Sequence, residues 1–313
     1  MSEVHFTRNG LVETVHPFSA VLVEGGKVRW SRGADVASFW RSASKPFQLY
    51  NSLRQLTAEV VAGLDDRALS LGAASHNGEA GHTELVASLL ARFGLAAEGL
   101  QCGAHLPMHE PTARTVVTPN NLHSNCSGKH TFMLAASHAR GWDPDYRALA
   151  HPLQAGNHAL IDEVAGVRHG TGVDGCSIPT FHAPLSAQAR AWSTLAAAMA
   201  DDEGTLGRVG WAMHREPWLM SGTDRLDLAV VQQASEPLTV KIGAEGLFCV
   251  ARPGARQGIA VKVHTGNTDA LAVAVKAVLA ELGVTLGREW PWAIVKNIRG
   301  AEVGARVVAP APG

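Results

Sequence analysis

Long apolar runs are missing from this chain. No stretch reaches the roughly 18 consecutive apolar residues that a membrane-crossing helix needs. The start, Met1-Ser2-Glu3-Val4-His5, has neither the basic n-region nor the apolar h-region of a secretory signal, so a cytoplasmic protein is expected. An excess of charge is missing too: 27 Lys and Arg against 28 Asp and Glu leave a net charge of −1. Neither nucleic acid nor an anionic membrane would meet a basic field here, which argues against both as main partners. Cysteine is scarce. In a large cytosolic chain the four present, Cys102, Cys126, Cys176 and Cys249, read as free thiols or metal ligands rather than disulfides. Internal repeats and low-complexity linkers are absent as well.

What remains is a normal globular balance, 46% hydrophobic and 18% charged, in 313 residues. That is enough for one lobed catalytic domain with a large core. Ala20–Val23 and Val28–Trp30 flank Glu24-Gly25-Gly26-Lys27, a hairpin signal. Helices are expected from Pro46 to Leu53, from Thr57 (as N-cap) to Leu64, and through the stripe Leu85, Val86, Leu89, Leu90 and Phe93, which Gly94 ends. Leu69 to Ala74 reads as a small-residue stretch, and residues 102–130 as a long irregular segment of the kind that is usually functional or disordered. More helices are expected near 131–138, 152–165, 186–200 (Ser186 as N-cap) and 205–215, with a turn-rich loop from Gly170 to Cys176. Strands follow at Leu238–Ile242, Leu247–Ala251 and Ile259–Val263, then a helix from Thr268 to Leu282 and further strand within 292–308. The order suggests a sheet built from both chain ends (about 1–40 and 236–313) around a helical lobe (about 41–235).

Three short motifs stand in one order: Ser42-Ala43-Ser44-Lys45, Ser75-His76-Asn77 and Lys241-Ile242-Gly243. They match, with relaxed middle positions, the Ser-x-x-Lys, Ser-Asp-Asn and Lys-Thr-Gly set of penicillin-binding proteins and serine β-lactamases. The chemistry explains the residue types. A serine hydroxyl becomes a nucleophile only when a nearby base takes its proton, and a desolvated lysine can be that base. Ser42 at i and Lys45 at i+3 share a helix face. Ser75 with Lys241 offers a second route for a proton to the leaving amine. Backbone amides at Ser42 and at Ala244, just past Gly243, could form an oxyanion hole.

A second cluster joins Asn125-Cys126-Ser127-Gly128-Lys129-His130 to Asp174-Gly175-Cys176. Two thiols from separate loops suit a tetrahedral zinc ion, with Lys129 or His130 as a nitrogen donor; two buried free thiols are the plainer alternative. A phosphate loop is rejected, because His123 and His130 stand where that motif needs Gly and Ser or Thr. His105, His109 and His123 are pocket-lining candidates within the irregular segment, and Trp290 and Trp292 are expected to pack.

Together these motifs, with Arg41 and Pro46 around the first, Gly78-Glu79 closing the second, and Ala244-Glu245-Gly246 after the last, resemble the rhizobial-type (class 3) L-asparaginases of the asparaginase II family over nearly the whole chain. The resemblance implies an α+β, serine β-lactamase/penicillin-binding-protein-like fold with an antiparallel sheet, a homodimer, and hydrolysis of L-asparagine to L-aspartate and ammonia. It makes Ser42–Lys45 and Ser75–Lys241 the two catalytic Ser–Lys tandems. It makes Cys126, Lys129 and Cys176 the ligands of a zinc ion that tunes affinity rather than doing the chemistry. Asp174 becomes a substrate-contacting or supporting residue, and Arg41, His76, Asn77, Ala244 and Glu245 become candidates for substrate contact. The competing readings are a glutaminase, another serine amidase on the same fold, and a non-enzymatic zinc-binding protein that kept the scaffold.

Overall fold

Two tight turns start the main sheet. Asn9-Gly10 (φ 47° and 82°) joins β1 (Ser2–Arg8) to β2 (Leu11–Glu24), and Gly25-Gly26 (φ 56° and 74°) joins β2 to β3 (Lys27–Arg32). Two-residue hairpin turns of the favoured twist need positive φ at both central residues, which Asn-Gly and Gly-Gly supply. The computed structural model describes residues 2–202 and 204–309. Downstream, β4 (Ala37–Phe39), β5 (Gly170–Val173) and β6 (Pro179–Pro184) form a separate three-stranded sheet in the order β4-β6-β5. Then β7 (Thr239–Ile242), β8 (Leu247–Arg252), β9 (Gln257–Val263), β10 (Ile294–Lys296) and β11 (Glu302–Val308) complete the first sheet. Its order is β10-β11-β1-β2-β9-β8-β7, with β3 also on β2, and every pairing is antiparallel. Both chain ends therefore meet in one sheet, giving the expected α+β architecture.

Phe18–Val23 of β2 and Leu247–Ala251 of β8 are buried without alternation. Continuous burial means that both faces of the sheet centre are covered. The helices Leu185–Ala200 and Thr268–Glu281 both pack on β2, β8 and β9. The first approaches very closely: a Cβ on Gly258 of β9 would lie 2.0 Å from the Ala189 carbonyl oxygen. Between Arg41 and Gln233 lie most of the helices. Among them Ser127–Arg140 crosses Asp66–Gly72 so tightly that a Cβ on Gly128 would stand 2.2 Å from the Leu71 carbonyl.

Four local expectations are corrected. Leu69–Ala74 lies mostly inside a helix, Asp66–Gly72, whose cap is Asp65 accepting from Ala68 N at 2.9 Å. The helix expected from 131 begins at Ser127, because Gly128 lets its first turn sit against Leu71. Ser186 does not cap its helix; its amide and hydroxyl both donate to the distant Asp35 carboxylate (2.8 and 2.6 Å). The stretch Gly170–Val173 is strand rather than loop, held by its ladder with β6 despite two glycines.

Candidate active site

The site grows from a strained turn. Trp40 is buried against Phe47 and Phe181, and its amide donates to the Phe181 carbonyl at 2.8 Å. Arg41 follows with φ 47°, a left-handed conformation that costs a non-glycine residue about 1 kcal/mol or more. Its guanidinium is tied down, with Nε donating to Asp174 Oδ1 at 2.6 Å. Ser42 then sits in a 3₁₀ turn, Arg41–Ser44, that runs into the helix Lys45–Leu53 with Pro46 in its first turn. Beyond β7, Gly243 closes on the same turn: a Cβ there would lie 2.8 Å from the Trp40 carbonyl oxygen. Only glycine lets the end of β7 meet the Ser42 turn so closely.

Ser42 and Ser75 open into one cavity of about 430 Å³, lined also by Ala244, Glu245, Asn125, Asp224, Arg225 and Trp292. Lys45 lies buried behind it, and its Nζ donates to Ser75 Oγ at 2.8 Å and to the Ala74 carbonyl. Lys45 thus follows Ser42 in the chain but hydrogen-bonds Ser75. Lys241, also fully buried, stands 3.6 Å from Asp227 Oδ1 and donates to the Ile242 carbonyl. Among the described residues no hydrogen bond joins Ser42 to Lys45 or Ser75 to Lys241. Burial lowers the pKa of both lysines; Lys241 falls to about 8 even though the Asp227 carboxylate opposes the shift. The backbone amides of Ser42 and Ala244 have no hydrogen-bond partner among the described residues.

The thiol cluster adjoins this centre. Lys129 Nζ donates to Cys176 Sγ at 3.2 Å, and Cys126 lies beside both. Of the two sulfurs, Cys126 is held toward thiolate by the adjacent Cys176 thiol and, against burial, by the Lys45 and Lys129 amines. Burial pushes the Lys129 amine down, but the Cys176 and Cys126 sulfurs and Asp174 lift it above its ordinary value. His130, the other nitrogen considered for a metal, bonds Tyr146 Oη through Nδ1 at 2.9 Å instead. Among the described residues no group of three or more His, Cys, Asp and Glu could hold a metal ion; in this cluster the third donor is a lysine.

The other candidates divide. Ala244 and Glu245 line the cavity, whereas Arg41, His76, Asn77 and Asp174 are not among its lining residues. Asp174 links the Cys176 loop to the Ser42 turn, accepting from Arg41 and from Gly175 N at 2.7 Å. His76 is a buried strut, with Nε2 on Ser127 Oγ at 2.9 Å and Nδ1 accepting from Gly78 N at 3.1 Å. Asn77 donates to the Thr223 carbonyl at 2.8 Å and so fastens the loop that carries Asp224 and Arg225. His105, His109 and His123 do not line the cavity; Trp290 packs on Trp292 with ring centroids 4.9 Å apart, and Trp292 reaches the cavity wall. Sequence reasoning missed Asp227, Arg225 and Asp224, and it had Asn125 only as the first residue of the Cys126 motif. A lone carboxylate in the apolar run Leu226-Asp227-Leu228-Ala229-Val230 was a usable signal for the first; nothing marked the others.

The family model for L-asparaginase II matches residues 4–308. The chain belongs to the L-asparaginase II family. Membership implies an amidohydrolase of asparaginase type acting on a small amide. No curated protein matches the chain. Among solved structures, Mglu in its native form is similar at 15% identity and TM-score 0.48, covering 88% of this chain and 67% of that one. Mglu in its glutamate form is similar at 16% identity and TM-score 0.49, with 88% and 64% covered. A beta-lactamase from Mycobacterium bovis is similar at 14% identity and TM-score 0.44, with 84% and 94% covered. The chain therefore spans about two thirds of the length of the Mglu chains. No helix among the described residues of this L-asparaginase II family member is long and apolar enough to cross a membrane.

Proposed function

We propose that the protein hydrolyses L-asparagine to L-aspartate and ammonia through an acyl-enzyme on Ser42. The observation that carries this reading is the shared cavity: two serine hydroxyls open into it, and a buried lysine behind them donates to one. Ser42 Oγ attacks the side-chain amide carbon, and its proton passes to the Lys45 amine, whose pKa burial lowers. The tetrahedral oxyanion is received by the Ser42 and Ala244 amides, two donors left unpaired by the fold. Lys45 returns the proton through the Ser75 hydroxyl, to which it is already bonded, and the nitrogen leaves as ammonia. Water then adds to the ester carbon by the same route reversed, and aspartate departs. Lys241, with its pKa at about 8, is the second base close to this path.

The donor set at Cys126, Cys176 and Lys129 fits zinc: two sulfurs and one amine converge, buried, and the S and N ligands match the metal's preference. Bound there, zinc would supply a fixed positive charge beside the site, with Cys126, Cys176 and Lys129 holding it. The resemblance further supports a homodimeric enzyme. Glutamine is the second reading, because a cavity of about 430 Å³ leaves room for one more methylene, which such pockets discriminate by only about 1–3 kcal/mol.

Ammonia release from L-asparagine and L-glutamine tests both readings. Wild type should turn over asparagine faster, and Ser42→Ala should lose about 10⁴-fold or more in kcat. Activity that survives the substitution would remove the Ser42 mechanism. A wild type inert toward both amides would favour the non-enzymatic zinc-binding alternative.

A further inference from the structure

We infer that Arg225 is the residue that binds the α-carboxylate of the substrate and so sets the enzyme's preference for free amino acid amides over neutral amides. This rests on the hydrolase reading above. Among the described residues the cavity that holds Ser42 and Ser75 is lined by a single cation, Arg225, and by two carboxylates, Asp224 and Glu245; Lys45 and Lys241 lie behind its wall. That charge pattern matches a zwitterion: one cation for a carboxylate and anions for an ammonium group.

Arg225 is also the cation in the wall with nothing to hold it. Among the described residues its guanidinium makes no hydrogen bond and no ion pair, although it is half-buried. Elsewhere half-buried arginines are matched: Arg41 with Asp174 at 2.6 Å, Arg252 with Glu236 at 2.6 Å, and Arg306 with Asp269 at 2.7 Å. A partly desolvated guanidinium without a partner is costly, and a planar bidentate fork suits a carboxylate best. It shares the cavity wall with Ser42 and Ser75, which places it beside the reacting groups. The loop that presents it is held firmly. Thr223 donates its amide and hydroxyl to the Glu79 carboxylate at 2.9 and 2.8 Å, and Asn77 holds the Thr223 carbonyl. The motif Ser75–Glu79 thus positions Ser75 at one end and the Arg225 loop at the other. An amino acid gripped by Arg225 presents its side-chain amide to Ser42 at a fixed distance from its α-carbon, which is what a linear amidase for amino acids requires.

The test compares L-asparagine with 3-aminopropanamide, the same amide without its α-carboxylate, in wild type, Arg225→Gln and Arg225→Lys. Arg225→Gln should lower kcat/KM for asparagine by about 10- to 100-fold, mainly through KM, while changing that for 3-aminopropanamide by less than about threefold. Arg225→Lys should recover part of the loss. Equal losses on both amides would mean a structural role and overturn the assignment, as would no loss on either. Calorimetric binding of L-aspartate to Ser42→Ala, with and without Arg225→Gln, separates this from the hydrolase reading. If wild type releases no ammonia but aspartate binding still depends on Arg225, the hydrolase reading falls and the assignment stands. If aspartate binding is absent or indifferent to Arg225, the assignment falls.

Discussion

Lys241 and Lys129 are both fully buried, yet the fold treats them in opposite ways. Lys241 stands on β7 with one carboxylate, Asp227, at 3.6 Å, and burial outweighs that partner, so its pKa falls to about 8. Lys129 lies against Cys176 at 3.2 Å, with Cys126 and Asp174 near, and there these neighbours outweigh burial and hold the proton on. The same side chain in similarly dry surroundings is thus poised for proton transfer in one place and locked as a cation in the other. The partner set decides, not the depth. A locked cation is also a displaceable one: a metal that takes the two sulfurs can take the amine once its proton leaves.

The largest effect expected from this contrast is kinetic. Lys241→Gln should cost about 10²–10⁴ in kcat, the usual worth of a general acid or base, and should remove a limb near pH 8 from the kcat profile. Lys129→Gln should cost less than tenfold in kcat at saturating substrate. Equal kinetic losses would erase the distinction between the two lysines.

Metal affinity comes next. Cys126→Ser with Cys176→Ser should lower zinc affinity by at least about 100-fold, read by metal analysis after dialysis against a chelator. In wild type zinc should bind more tightly as pH rises, because Lys129 and the Cys176 thiol must each release a proton. Unchanged zinc content in the double variant, or affinity independent of pH, would break the assignment.

The smallest effect is on stability. Lys241 titrates near 10.5 in the unfolded chain and at about 8 when folded, so between those values the unfolded state binds more protons and stability rises with pH. The penalty is complete below about pH 8 and amounts to about 3 kcal/mol. Denaturation from pH 7.5 to 10.5 should therefore show wild type gaining by up to that amount relative to Lys241→Met. In zinc-free protein Lys129 has the opposite sign: its raised value adds stability that is fully present below its unfolded value near 10.5 and is lost as pH climbs from there through its folded pKa. Wild type and Lys129→Met should keep a constant difference below that unfolded value, and a slope like that of Lys241→Met would contradict the contrast.

The parts of the molecule legible in the sequence are those where local chemistry decides. Gly25-Gly26 could be read as a hairpin because the turn itself demands positive φ, and Thr57 as a cap because its hydroxyl accepts from Val60 N three residues on. Where distant partners decide, the sequence misled. Asp35 takes the place of a cap at Ser186, and β6 turns Gly170–Val173 into a strand. The site follows the same rule. Ser42, Ser75 and Gly243 stood out through motif spacing, and the cavity and the close contact of Gly243 with Trp40 bring them together. That Lys45 would bond Ser75 rather than Ser42 depends on how the helix Lys45–Leu53 docks beside Ala74, which no spacing encodes. Arg225 was invisible because an unpaired cation is recognised only once its surroundings are known.

The most direct test of the central claim is to quench wild type in acid while it turns over L-asparagine and to map the trapped ester. An aspartyl ester on the peptide that carries Ser42, absent from Ser42→Ala, is the result expected. Turnover with no ester on Ser42, or with the ester on Ser75, would contradict the account.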